Sequence, residues 1–271
     1  PGSPGNFQLV EADHVSGALV QELDPDGNVV WEWDADPLES NAELTDAQRI
    51  LPDENTVPLC FVNPDPQLGR ILSLFHPNAL AVRGDQVLVS ARHADAVYAI
   101  HRTGDGQGEI AWKLGGRDRP GVSLALLGQS PTRLARQHDV QVLPNGNITV
   151  FDNRTSFPFA PITGAARFVE YRIDEGASPP SATVVRQVRR LNGDNSGALG
   201  SARVQPDGGV VIGWGSVPGP VFTEVDADGE VLFEVSLDGS RFSYRVIKEP
   251  IDAFDLDQLR STAGGTLAVA D

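Results

Sequence analysis

The sequence predicts an all-β fold, a β-propeller of four-stranded antiparallel blades, and three observations carry that expectation. Glycine and proline are abundant, at 28 and 20 of 271 residues, and methionine is absent, as suits many short strands joined by tight turns. The stretch His76–Gly116 reads as four successive strands with apolar alternation: Asn78–Val82, Gln86–Ser90, Ala96–His101 and Glu109–Leu114. Arg83-Gly84-Asp85 turns the first pair and Thr103-Gly104-Asp105-Gly106 the last. The same unit recurs along the chain, and a repeat of this size is the signature of a propeller blade.

Taken in order, residues 7–34 hold FQLVEADH, GALVQELDPDG and NVVWEW, matching the second, third and fourth strands of the reference unit. Residues 35–75 form an irregular excursion, broken by Asp36-Pro37, Leu51-Pro52-Asp53 and Asn63-Pro64-Asp65-Pro66, with a short helical turn expected at Thr45–Ile50. The reference blade occupies 76–116, and a second excursion rich in Gly, Arg and Pro fills 117–137. A further blade runs over 138–190, with an insertion at Thr155–Ala165, and another over 200–237. The tail, 243–271, reads as strand pieces SYRVIKEP and GTLAVAD. The whole of 1–271 is thus expected to be one domain with about four to five blades visible, and a partner chain or missing segment would complete the ring.

Composition narrows the function. A net charge of -16 and a pI near 4.6 argue against nucleic acid and anionic membrane surfaces as partners. Lys113 and Lys248 are the only lysines among 21 basic residues, an arginine bias that fits a GC-rich or salt-adapted source. Cys60 stands alone, which excludes an internal disulfide framework and a cysteine metal knuckle. No apolar run approaches the ~20 residues that span a bilayer. The chain opens on Pro1 without an initiator Met, which leaves a targeting segment ahead of it open.

The repeat makes the histidines informative. Aligning the blades on their first turns puts His76 and His138 at equivalent positions, at the start of the innermost strand, with Gly200 next in the series. Aligning the ends of second strands makes His14, His93, Arg154 and Ser216 rough equivalents at the same mouth of the channel. His101 ends a third strand and belongs at the opposite face. A lone strand histidine is usually structural, but several beside Arg92 and Arg154 look like an anion trap. No metal is expected, because no carboxylate or His-x-His cluster has ligand spacing.

Other motifs have plainer readings. Asp24–Gly27 and Asp226–Gly229 begin like calcium loops but lack the downstream Glu, so hairpin turns are expected. Gly104–Gly108 is a hairpin corner rather than a phosphate cradle, and Ser216 lacks the strand-to-helix setting of a nucleophile elbow. Trp31, Trp33, Trp112 and Phe233 are expected to pack sheet against sheet.

Read together, His76-x-Asn78, Ser90-x-Arg92-His93, Tyr98-x-Ile100 and Trp112-x-Leu114-Gly115-Gly116 form a recognisable set. Gln137-His138-Asp139, Pro144-Asn145-Gly146-Asn147, Phe151-Asp152-Asn153, Arg167–Tyr171 and Gly213–Ser216 before Glu224-x-Asp226 extend it. The set resembles the bacterial arylsulfotransferases that use no nucleotide donor, with their arylsulfotransferase-like relatives. That resemblance implies a six-bladed propeller, a periplasmic or extracellular location, and no cofactor. It implies transfer of a sulfuryl group from an aryl sulfate to a phenol through a covalent histidine intermediate. By resemblance His76 and His138 match active-site histidines, and Arg154, less closely Arg167, matches the sulfate-binding arginine. His93 joins them as a catalytic candidate, and Asn78, Arg92, Asn153, Arg167 and His14 stand as substrate-binding candidates. The family's nucleophilic histidine would fall where this chain reads Gly213-Trp214-Gly215-Ser216-Val217-Pro218, and no histidine follows His138. His93 or His14 could serve in its place. A non-catalytic binding or assembly propeller is the rival reading, and a hydrolase releasing sulfate to water a third.

Overall fold

The computed structural model describes residues 14–35, 59–62, 69–73, 75–128, 132–155, 164–237 and 242–262. Its strands are β1 His14–Ser16, β2 Leu19–Leu23, β3 Val29–Asp34, β4 Leu59–Val62, β5 Arg70–Ser73 and β6 Pro77–Arg83. Next come β7 Gln86–Ala91, β8 Ala96–His101, β9 Ile110–Gly115, β10 Ala125–Gly128, β11 His138–Val142 and β12 Ile148–Asp152. The last are β13 Arg167–Asp174, β14 Ser181–Arg189, β15 Ser201–Val204, β16 Val210–Gly213, β17 Pro220–Val225 and β18 Val231–Ser236, followed by one helix, α1, Leu256–Thr262.

The fold is all-β and rich in antiparallel sheet. β6-β7-β8-β9 and β15-β16-β17-β18 are four-stranded meanders, and β11-β12-β13-β14 is a third that gains β10 at its outer edge. The reference unit falls where periodicity put it, with boundaries shifted by one residue or none. The Asp-Gly corners are hairpin turns: Asp24 Oδ1 accepts the N–H groups of Asp26 and Asn28, and Asp226 Oδ1 those of Asp228 and Glu230. Among the described residues no acid, histidine or cysteine cluster could hold a metal.

The sheets stack in chain order. Trp31 and Trp33 of β3 pack on Val87, Val89, Tyr98 and Ile100 of the first meander. Leu88, Val97 and Trp112 on its other face meet Ile148, Val150 and Val169 of the next. Phe151 and Phe168 then meet Ile212, Trp214 and Val225. Both faces of the middle sheets are therefore apolar, which is why β7 is buried at every position rather than at alternate ones. The first strands of the three meanders lie side by side, β6 against β11 and β11 against β15. Gly200, just before β15, has φ +104, and a Cβ there would run into the Phe151 ring. Gly200→Ala is expected to cost about 1–3 kcal/mol from overpacking and backbone strain, read as a lower denaturant midpoint at unchanged slope.

Several expectations need correction. The excursion 35–75 contains β4 and β5, which form a sheet with β1; β1 runs parallel to β5, with His14 opposite Ile71, instead of pairing with β2. Gly17 and Ala18 lie between β1 and the β2–β3 hairpin. The excursion 117–137 contributes β10, parallel to β14, because the nine-residue β14 leaves an outer edge whose backbone groups need partners. The tail carries a 3₁₀ turn at Ile251–Ala253 and α1 in place of a blade, and Ser243–Pro250 forms no strand. Trp31, Trp33 and Trp112 are core residues, but Phe233 is 53% exposed, because β18 is the outer strand and no described sheet covers it. Residues 7–13, Thr45–Ile50, the insertion over 156–163 and GTLAVAD lie outside the described residues. No helix of the described residues is long and apolar enough to cross a membrane.

Candidate functional site

Three segments meet at one end of the stacked sheets. His76 leads into β6, a 3₁₀ turn Arg92–Ala94 follows β7, and Arg136–His138 leads into β11. Hydrogen bonds stitch them together. Gln137 Nε2 donates to Ser90 Oγ and the carbonyls of Ala91 and Ala96, at 3.2, 3.2 and 2.8 Å. Asn78 Nδ2 donates to Gln137 O at 2.7 Å, and Arg136 N–H to Asp95 Oδ1 at 2.7 Å. Among the described residues, six non-glycine residues have left-handed backbone: His76, Asp95, Arg136, Asp139, Arg154 and Leu199. All six sit at strand ends on this side, and strain gathered in one place points to a constraint other than folding.

His138 is buried, and its Nδ1 lies 2.8 Å from Asn153 Oδ1 and 3.0 Å from Arg136 O. Both neighbours are acceptors, so Nδ1 carries the proton and Nε2 the lone pair. Asn153 is itself aimed by its Nδ2 donating to Leu199 O at 2.8 Å. His93, fully buried, likewise donates from Nδ1 to Ser73 O at 2.8 Å. The exposed His76 ring lies 4.9 Å from that of His93, tilted by 49°. Burial, ahead of its other causes, lowers the pKa of His138 to about 4 and of His93 to about 3. Desolvation and then Arg92 and Arg136 lower that of His76 as well.

Arg92 acts on all three histidines, and Arg136 on His76 and His93. Arg92 is 5% exposed and donates from Nη2 to Gly197 O at 3.0 Å; burial first, then Arg136, brings its pKa down to about 10. Arg136 donates from Nη1 to Arg92 O at 3.2 Å and stands 3.9 Å from Asp95, the nearby acid. Neutral imidazoles beside two desolvated guanidinium groups make a site for an oxyanion.

The other predicted residues lie around this centre. Arg167 gives Nε and Nη2 to Asp152 Oδ2, both at 2.9 Å, with further bonds to Gln187 and Thr132 O. Arg154 bonds Arg133 O and stands 3.9 Å from Asp152. Both therefore surround a buried carboxylate behind the histidines. His14 opens β1, two strand positions before the register of Ser73, which His93 grips. His101 sits at the far end of β8, 3.7 Å from Asp85, as its strand position requires. Sequence reasoning missed Arg136, although it stands two residues before His138; it lies in the excursion, where no repeat assigns a direction. Ser216, where a later histidine would fall, has its Oγ between the N–H and the carbonyl of Ala198.

A family model described as arylsulfotransferase (ASST) matches residues 4–238. The chain belongs to the arylsulfotransferase family. No curated protein matches it. Among solved structures it is similar to a protein of unknown function from Bacteroides caccae, at 15% identity and TM-score 0.39, over 81% of this chain and 59% of that one. It is also similar to a Thermus thermophilus protein for which an oxidoreductase (glucose dehydrogenase) role has been suggested, at 17% identity and TM-score 0.31, over 57% and 44%. The chain thus spans less than two thirds of the length of either structure.

The lowered histidine pKa values tie the stability of this fold to pH. The unfolded chain takes up these protons below about pH 6.5, the folded chain only near pH 4 and pH 3. Stability from neutral burial is therefore present above the unfolded value and lost as pH falls through the interval below it. Thermal melts should show a falling Tm from neutral pH to about pH 4, with a shallower slope in His93→Gln.

Proposed function

We propose that this arylsulfotransferase-family chain moves a sulfuryl group from an aryl sulfate to a phenol, with His138 as the nucleophile. The observation that carries the reading is the fixed tautomer of His138: Nδ1–H held by Asn153 and Arg136 O leaves Nε2 as the nucleophilic atom. In the first step Nε2 attacks sulfur, the N–S bond forms, and the S–O bond to the departing aryloxide breaks. Arg92 and Arg136 neutralise the sulfuryl oxygens, and Nδ1–H remains on Asn153 as the ring becomes cationic. In the second step the acceptor phenol attacks sulfur, its proton passes to His76, and the N–S electron pair returns to Nε2. His76 then releases that proton to the departed aryloxide. Asn78 and Asn153 position the histidine-bearing segments, and Arg154 and Arg167 hold Asp152 beneath them.

We further infer that the stacked sheets are consecutive blades of a propeller, supported by the first strands of the meanders, β6, β11 and β15, running side by side. An extracytoplasmic location is part of the same proposal, supported by family membership and an acidic chain. One observation favours a second reading, a binding module without transferase activity: the end of β16 carries no histidine. Release of a chromogenic phenol from an aryl sulfate, with and without a second phenol, separates them. Acceptor-dependent release supports transfer, release without acceptor supports hydrolysis, and well-folded protein with neither supports the binding module.

A further inference from the structure

The strands that lead away from His76 and His138 share an irregularity. β6 gains one residue over β7 between Pro77 and Ala79, so Asn78 is the extra residue of a bulge just after His76. β11 likewise gains one residue over β12 between His138 and Gln141, a stretch in which Asp139 has φ 55. A bulge takes backbone groups out of the strand ladder and re-aims the side chains beside it. Asn78 Nδ2 reaches Gln137 O at 2.7 Å, on the peptide that leads into His138. The Asp139 carboxylate accepts from Ala202 N–H at 3.0 Å and from Arg203 Nη2 at 2.7 Å.

One side chain bears on both bulges. Arg245 Nη2 donates to Asn78 O at 3.1 Å. Burial raises the pKa of Asp139, and Arg203, the Ala202 N–H and then Arg245 oppose that rise. The segment that carries Arg245 is fixed to the third meander. Tyr244 O accepts from Gly200 N–H at 3.1 Å, Val246 N–H donates to Ser201 Oγ at 2.9 Å, and Ser243 Oγ donates to Val221 O at 2.7 Å. Gly213 makes room for it, because a Cβ there would stand 2.9 Å from Val246 Cγ2 and 3.2 Å from Ser243 Oγ. Lys248 closes the segment on Glu224 at 2.6 Å. All these tail residues lie beyond 4–238, the span that the family model matches. The tail therefore ties the start of β6 to the start of β15 and brings a cation to the backbone that aims the histidines.

We propose that Arg245, by tying the bulge at Asn78 to the third meander, is a positioning residue that keeps His76 and His138 aligned. Without its bond, Asn78 is freer to release Gln137 O, and the peptide before His138 loses its hold. The kinetic arm of the test rests on the sulfuryl-transfer reading, and the spectroscopic arm does not. The His138 Nδ1–H, held by Asn153, is followed as a downfield proton resonance, identified by its loss in His138→Ala. Arg245 is exposed, so Arg245→Ala should fold with an unchanged Tm. Its His138 resonance should shift and broaden as the proton exchanges faster with water. Its kcat for transfer should fall about tenfold or more at unchanged KM, the cost of a misplaced catalytic group. Arg245→Lys should restore both, because the contact is a single hydrogen bond rather than a fork. An unchanged resonance in Arg245→Ala overturns the proposal, as do a shifted resonance at unchanged kcat, a failure of Arg245→Lys to restore it, and a collapse of the Tm. A wild-type chain without transferase activity, whose resonance still shifts in Arg245→Ala and returns in Arg245→Lys, keeps the positioning role and refutes the sulfuryl-transfer reading alone.

Discussion

His138→Ala is expected to lower acceptor-dependent transfer by about 10⁴-fold or more, the scale on which a covalent nucleophile acts. His76→Ala should cost about 10²–10⁴-fold, as for a positioned proton acceptor, and Arg136→Leu about 10²–10³-fold through lost charge stabilisation. The pH profile separates the roles. With a pKa near 4, His138 is neutral throughout the neutral range, so its contribution to rate stays flat on acidification and falls only near pH 4. Asn153→Ala leaves Arg136 O to hold the tautomer at 3.0 Å, so its loss should be much smaller than that of His138→Ala. A single-turnover experiment with donor alone should trap labelled sulfuryl on wild-type protein and none on His138→Ala. Label retained in His138→Ala and lost in His76→Ala would move the nucleophile to His76. Full transfer in both variants would remove the histidine site from the mechanism.

Much of this arrangement is legible because a repeated strand meander fixes where strand ends fall. His76 directly precedes β6 and His138 opens β11, the first strands of their meanders, and Gly200 directly precedes β15, the first strand of the third, as turn spacing requires. His93 follows from the same logic at the end of β7. Strand position cannot say which way a long guanidinium turns. Arg92 and Arg154 both follow a second strand, yet Arg92 reaches the histidines while Arg154 folds back toward Asp152, two residues before it. β4, β5 and β10 have four residues each, too few for alternation to announce them, and β5 and β10 also pair in parallel with the distant β1 and β14. Phe233 departs from expectation because apolar alternation in β18 implies a covering layer that the described residues do not supply.

Arg167→Leu is expected to destabilise the fold by about 3–5 kcal/mol, because it strands a buried carboxylate. Asp152 and Arg167 are 0% and 1% exposed, and both contacts between them measure 2.9 Å. Burial already pushes the Asp152 pKa up against the pull of Arg167 and Arg154, so the pair has little margin for losing its main cation. Arg154, at 3.9 Å, is too far to replace it. Asp152→Asn leaves Arg167 uncompensated and should also destabilise, though its Oδ1 can still accept from Ala135 N–H, a bond of 2.9 Å. The double variant Arg167→Leu/Asp152→Asn should lose less than the sum of the two, since neither charge is then stranded. Denaturant melts at fixed pH give the three values, and additivity would mean that the pair is not coupled. The same series tests what Arg167 is for. If it only supports the sheet end, the conservative Arg167→Lys should lower the midpoint of unfolding while leaving the KM for an aryl sulfate close to wild type. A KM raised tenfold at unchanged stability would instead give Arg167 the sulfate.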